Sequence, residues 1–336
     1  MAGPKRKPPT IAERLGCCFW ADFVMPPIVR TLERSGHLPA LLAKEQQRRE
    51  QTISRRNPFR IYEPEPQDVF VMTYPKSGTN WILQIAFQLI HHGQGEFDHI
   101  HSVVPWPDAV LNSWTMRNYA ISTDYATDWK TAPEPIRLIK THLNWEHVCY
   151  SKQARYIAVV RDPKDIFVSY YFFIRENFLG GLMPSVEAMY QSLLAGYLLG
   201  AGSWPVNAAG YWAQRNRANV LVLLFAEMKR DLEGTVRRVA DFLDIRVSDA
   251  VIREVCRKSS FGYMKSIDQR FAPYRGAPWR KRAQMLRKGE QGASAELLSR
   301  EQQAEIDSVM AAELLRLGSD LPYDELCGDP RRRKRE

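Results

Sequence analysis

Apolar residues recur in two rhythms along this chain. Through IAERLGCCFWADF and IVRTLERSGHLPALLAKEQQRRE they fall at helical spacing, broken at Met25-Pro26-Pro27. Two amphipathic helices are expected there, parted by prolines that do not fit a helix interior. From Asp68 the rhythm changes. DVFVMTY (68–74) is a short continuous run rich in β-branched and aromatic residues, the pattern of a strand buried on both faces. IRLIKTH (136–142), RYIAVVR (155–161) and NVLVLLF (219–225) repeat it. Helical patterns sit between or after these runs, in TNWILQIAFQLIHHG and over 163–176, 185–199, 232–243 and 300–317. Strands alternating with helices predict an α/β fold: a single domain with a central, mostly parallel sheet flanked by helices, and ligands at the carboxyl ends of the strands. The stretch 268–293, rich in Arg, Lys, Gly and Pro, reads as a long surface loop. The chain thus divides into an N-terminal helical extension over 1–66, packed on a main domain over 67–330, and a basic tail over 331–336.

Composition supports one large core, since the 336 residues are 45% hydrophobic and 25% charged. The net charge of +9 lies partly in PKRKPP at the start and RRRKRE at the end, runs that read as solvated tails rather than nucleic-acid contacts. Basic residues between the tails can serve an anionic ligand, because a cleft lined by one sign of charge concentrates counter-ions. Cys17, Cys18, Cys149, Cys256 and Cys327 show neither zinc spacing nor an even disulfide framework, which suits a reducing compartment. The start lacks the apolar stretch of a signal peptide, and no segment reaches the ~18 apolar residues of a spanning helix. The expectation is a cytoplasmic protein with no membrane span, no metal and no nucleic-acid partner.

Candidate chemistry collects where strands meet helices. TYPKSGTNW (73–81) links the first strand run to a helical pattern, the geometry in which backbone N–H groups and the helix dipole hold a phosphate. Gly78 permits close approach, while Lys76, the hydroxyls of Ser77 and Thr79 and the Asn80 amide can donate. A plain capped turn would account for one hydroxyl, but not for a Lys two residues before the Gly and Trp81 three after it. A Walker A loop, GxxxxGK[ST], sets its Lys after the last Gly and the next hydroxyl on magnesium. Here Lys76 precedes Gly78, which favours metal-free transfer. In VVRDPKDIFVSYYFF a second strand meets a second helix: Arg161 ends the strand, Asp162 can cap, Pro163 suits the first turn and Ser169 follows one to two turns on. IKTHLNWE sets Lys140 and His142 on one face of a strand end. A histidine there is either a satisfied strand-end residue or a base working near neutral pH with the lysine as a neighbouring cation.

Together these segments resemble the cytosolic-type sulfotransferases, which use 3′-phosphoadenosine 5′-phosphosulfate (PAPS). YPKSGTNW is similar to the family's 5′-phosphosulfate loop, close to YPKSGTTW. RDPKD with a downstream Ser resembles its 3′-phosphate signature, and KTHL resembles its catalytic segment KTHLP. The resemblance implies that Lys76 contacts the bridging oxygen of the leaving phosphate, that Ser77, Gly78, Thr79 and Asn80 hold the 5′-phosphate, and that Trp81 stacks on adenine. By the same likeness Arg161 and Ser169 take the 3′-phosphate, with Arg287, Lys288 and Gly289 as the RKG element that closes over it. Ser259 and Phe261, in SSFGYMK, are implied ribose and adenine contacts. Phe225 stands where the family's LYLFYEDMK has Tyr, so an adenine contact through that hydroxyl is lost or taken over by water. The implied reaction is metal-free, in-line transfer of a sulfuryl group from PAPS to a hydroxyl or amine, leaving PAP. His142 would be the general base, Lys76 and Lys140 the stabilising cations, and Ser169 a restraint on Lys76 until the acceptor arrives.

The likeness runs from about 67 to 289. The RKG lacks the family's GDWK-like continuation, and the KxxxTVxxxE dimer segment is absent near 290–305, which leaves the oligomeric state open. Segments 103–118, 172–183 and 272–283, with Trp106, Trp114, Phe172, Phe173, Phe178 and Trp279, form the expected acceptor wall and favour a small apolar or aromatic acceptor. Two alternatives stay open. The position of Lys76 argues against a P-loop nucleotide kinase-like phosphotransferase using ATP and magnesium. The set Lys76, Lys140 and His142 argues against a non-catalytic PAP-binding protein.

Overall fold

The computed structural model describes residues 25–111, 128–272, 284–289 and 292–327. Strands β1 (Asp68–Thr73), β2 (Arg137–Thr141), β3 (Arg155–Val160) and β4 (Val220–Leu224) form one parallel sheet in the order β2-β1-β3-β4. The four expected runs are these strands. Each ends one residue early, and the residues left out, Tyr74, His142, Arg161 and Phe225, open the loops or helices that follow.

The longer helices are α1 (Met25–Arg34), α2 (Leu38–Arg56), α3 (Thr79–Ile90), α4 (Pro163–Ile174), α5 (Val186–Leu194), α6 (Trp204–Trp212), α7 (Leu232–Leu243), α8 (Asp249–Lys258) and α9 (Arg300–Arg316). None is long and apolar enough to cross a membrane. Alternation along β1 sorts the core into layers. Val69 and Val71 meet the apolar faces of α3, α7 and α8, whereas Phe70 and Met72 face Tyr156, Tyr211 and Phe59. A third cluster joins Val160 to α4, α5, α6 and α9.

Two expectations are corrected. The helical pattern over 28–50 is not one helix: α1 and α2 are parted at Ser35-Gly36-His37, where Gly36 turns the chain with φ of 72°, while Met25-Pro26-Pro27 opens α1. First-turn N–H groups have no intrahelical partner, so a proline there loses nothing. The helical pattern before it, over 11–23, lies outside the described residues. Helix α5 stops at Leu194 rather than continuing to 199, because Gly196 turns the chain with φ of 91°.

At the amino end of the sheet, away from the strand ends that carry the motifs, wholly buried Asp68 pairs with Arg137 across the β1–β2 register. Its carboxylate accepts from Arg137 Nε at 2.6 Å, from the Tyr62 hydroxyl at 2.7 Å and from the Glu65 N–H at 2.9 Å. This pair ties the two strands in register, since a one-residue slip would push a charge into the apolar layers. Asp68→Ala removes the buried partner of Arg137, which keeps Glu65 at 2.6 Å, and leaves the Tyr62 hydroxyl and Glu65 N–H without their acceptor, so it is expected to cost about 1–3 kcal/mol. Denaturant unfolding measures it, and a loss below about 1 kcal/mol, no more than an exposed pair contributes, would show that the pair does not hold the sheet.

Candidate active site

All four strand ends open into one cavity of about 980 Å³. The sheet order explains its position: the chain leaves β1 for β2 on one side and passes to β3 on the other, so no crossover covers the end of β1.

After β1 the chain turns tightly, with Lys76 at φ 69° and Gly78 at φ 96°. Gly78 starts α3 without a side-chain cap, and a Cβ on it would lie 2.9 Å from the Phe225 ring. The uncapped first turn is the arrangement that binds anions. Gly78, Thr79, Asn80 and Trp81 line the cavity. Ser77 is wholly buried behind them, its Oγ without a hydrogen-bond partner among the described residues. Ser259 Oγ is buried in the same way, beside Trp81, whose Nε1 donates to the Ser259 carbonyl at 2.8 Å.

His142 follows β2. Its Nδ1 lies 2.8 Å from the Thr73 carbonyl, which can only accept, so the ring proton sits on Nδ1 and Nε2 keeps its lone pair. Thr73 Oγ1 lies 2.6 Å from Thr79 Oγ1, so one residue at the end of β1 ties the histidine to the loop. Asp108 accepts from the His142 backbone N–H at 3.1 Å. Burial, then the charges of Lys140, Arg49 and Lys76, pushes the imidazole well below its usual pKa.

Lys140 is buried, its Nζ 3.6 Å from the centre of the Trp106 ring and 3.4 Å from His101 Nε2. Burial and the like charge of Lys76, against the pull of Asp108, lower it to about 7. Lys76 Nζ donates to the Met285 carbonyl at 3.3 Å and stands 4.3 Å from the centre of the Phe173 ring. Burial first, then Arg161, lowers it to about 8. Among the described residues its ammonium makes no hydrogen bond to Ser169, which lines the cavity from α4.

Arg161 opens the next loop and donates to the Lys76 carbonyl at 2.9 Å, its guanidinium 4.2 Å from the centre of the Phe225 ring. Trp81 meets the same ring edge-on at 5.5 Å. Arg287 forks onto Glu296 at 2.6 and 3.1 Å, and Lys288 joins that carboxylate at 3.1 Å. Gly289, at φ 63°, gives Phe261 room, since a Cβ there would come within 2.3 Å of its ring. Of the site residues singled out in the sequence, Ser77 alone sits behind the cavity wall and the others line it. Trp106, Phe173 and Phe178 line it too, while Phe172 packs on Arg287 instead, 4.6 Å from ring centre to guanidinium. Trp114 and Trp279 lie outside the described residues.

Sequence reasoning missed His101 as the partner of Lys140 and Asp108 as the holder of the His142 backbone. It also left α2 out of the site, yet Arg48, Arg49, Arg55 and Arg56 line the cavity. QRREQTISRR reads locally as a solvated basic face, and packing against α5, α1 and Pro107–Leu111 brings it inward. Among the described residues no group of His, Cys, Asp and Glu converges to hold a metal.

A model of the sulfotransferase domain family matches residues 66–318. The chain is similar to human sulfotransferase 1C2, at 28% identity over 64% of this chain and 71% of that one. It is also similar to mouse sulfotransferase 2A1, at 32% identity over 62% and 70%. Two solved structures share its fold. A mouse sulfotransferase complexed with PAP matches 82% of this chain and 93% of its own, with TM-score 0.59 and 23% identity. Retinol dehydratase in complex with androsterone and the inactive cofactor PAP matches 78% and 84%, with TM-score 0.63 and 19% identity.

The Thr73 contact fixes a tautomer, and that is observable. Nitrogen-15 imidazole NMR at pH 6 is expected to show His142 neutral with its proton on Nδ1, where a free histidine, with a pKa of about 6.5, would be mostly charged. A charged His142 ring at pH 6, or a proton on Nε2, would contradict this geometry.

Proposed function

The chain belongs to the sulfotransferase family, and we propose that it moves a sulfuryl group from PAPS to a hydroxyl of a small acceptor with His142 as general base. That the chain is a sulfotransferase follows from the family; the donor contacts, the base and the acceptor are our reading.

The cavity suits PAPS, whose product PAP is bound in the two related structures. It offers an uncapped helix start, two buried hydroxyls without partners among the described residues, and the cations Lys76, Arg161, Arg287 and Lys288. In this reading Lys76, Ser77, Thr79 and Asn80, with the α3 N-terminus, hold the 5′ side. Arg161, Ser169 and the 287–289 segment hold the 3′-phosphate, and Trp81, Phe225, Ser259 and Phe261 enclose the adenosine. Phe225 replaces a hydroxyl contact with a face on which Arg161 and Trp81 rest.

PAPS supplies the sulfuryl group on a phosphate leaving group, the acceptor oxygen bonding to sulfur as the bridging bond breaks. The observation that carries the proposal is His142 held through Nδ1 by Thr73, in the same cavity as the anion-binding turn. With Nδ1 protonated, Nε2 takes the proton of the acceptor hydroxyl. Lys76 and Lys140 set positive charge where negative charge develops, and burial makes each worth more than in water. Trp106, Phe173 and Phe178 shield the exchange from water and give an apolar body a surface to lie on.

The lysines give this reading a measurable sign. Without an anion they titrate near 7 and 8, and a bound phosphate favours their charged forms. PAP binding is therefore expected to take up protons between pH 7 and 9, with affinity greatest near pH 7 and falling as pH rises and the free-enzyme lysines lose their protons. Calorimetry in buffers of different ionisation enthalpy reads the uptake. Tight PAP binding with no uptake and no pH dependence would remove both lysines from the donor site, and a larger melting shift with magnesium and ATP than with PAP would overturn the donor.

A further inference from the structure

Helix α2 adds a wall to the cavity that the donor does not account for. Arg48, Arg49, Arg55 and Arg56 line it, and Glu45 is the one α2 carboxylate that joins them. The helix packs against the 107–111 turn, whose Asp108 holds the His142 backbone, so this wall stands on the side of the base. The cations suited to the donor, Lys76, Arg161, Arg287 and Lys288, come from the loops after β1 and β3 and from the 287–289 segment.

Arg49 is the informative residue on that wall. Its Nε is sealed from solvent and has no hydrogen-bond partner among the described residues. Its guanidinium rests on Gly202, where a Cβ would sit 3.3 Å from one terminal nitrogen. Among the described residues Arg49 makes no ion pair, and neither Asp108 nor Glu50, the carboxylates whose charge it feels, comes within pairing distance. The two phenols beside it are neutral and supply no counter-charge, Tyr74 donating to the Gly202 carbonyl at 2.7 Å and Tyr170 to the Leu199 carbonyl at 2.6 Å. Arg49 is half-buried, its Nε out of water and the rest of its guanidinium at the cavity wall, and a charge partly withdrawn from water without a counter-charge is costly, which a ligand in the cavity can offset.

We propose that the acceptor is an anion: a small molecule with an apolar or aromatic body that presents its hydroxyl to His142 and a carboxylate, or a similar anionic group, to Arg49. This rests on reading the cavity as a sulfotransferase site, and it narrows the apolar acceptor expected from the aromatic wall. The aromatic residues take the body and the α2 arginine takes the charge.

Two phenols of nearly the same shape test it: 3-(4-hydroxyphenyl)propanoate and its neutral amide, each offered with PAPS to the full chain. Wild type is expected to prefer the carboxylate by about tenfold or more in kcat/KM, the effect of one charge-assisted hydrogen bond. In Arg49→Gln the ratio is expected to fall to within about threefold of one, and Arg49→Lys to keep an intermediate preference. The ratio is taken within one preparation, so any loss of folded protein cancels. PAP affinity, measured on the same samples, is expected to be equal in all three. No PAP binding together with no transfer would sink the sulfotransferase reading itself. PAP binding without a carboxylate preference, transfer to neither phenol included, or a preference that survives in Arg49→Gln, would overturn the anionic acceptor and leave that reading standing.

Discussion

Thr73, the last residue of the central strand, joins the parts of this site. Its carbonyl fixes which nitrogen of His142 carries the proton, and its hydroxyl meets Thr79 in the first turn of α3. Both contacts depend on β1 lying between β2 and β3 in parallel register, because only then do the strand ends stand level around the crevice. The chain that follows each strand then enters the same space: the turn after Tyr74, His142, Arg161 and Phe225. The Asp68–Arg137 pair at the other end of the sheet holds that alignment from a distance.

Such a convergence gathers positive charge in a half-dry cavity. Arg161 disfavours the charge of Lys76, Lys76 that of Lys140, and both lysines, with Arg49, add to the burial that keeps His142 neutral. The turn is strained as well, with a lysine in left-handed backbone and a glycine against an aromatic ring. A fold selected for stability alone would not crowd cations this way, and a site that must grip a polyanion gains from it. Where protein carboxylates are at hand, as Glu296 is for Arg287 and Lys288, the cations are held ready. Arg49 has no such partner among the described residues.

The strands and turns that carry the site were legible because their signals are local. Continuous apolar runs bounded by turn residues mark four buried strands, and the lysine-glycine order separates the β1 turn from a Walker loop. The strand ends were read one residue long because Tyr74, His142, Arg161 and Phe225 carry no turn signal of their own. Helix α6 went unread because WPVNAAGYW has no polar stripe to give it a helical period. Phe225 read as a missing hydroxyl, and only the fold reveals the ring as a platform for Arg161 and Trp81. His101, Asp108 and Arg49 reach the cavity through tertiary packing, which leaves no mark at their own positions in the sequence.

The central claim is that Thr73 and the strand ends make a base of His142 rather than a satisfied strand-end histidine. The most direct test is His142→Ala, with PAP affinity, melting temperature and turnover measured on one preparation. The account predicts PAP affinity and melting temperature near wild type, with turnover down by the ~10² to 10⁴ that a positioned base contributes. A variant that binds PAP and turns over at close to the wild-type rate per folded molecule would contradict it.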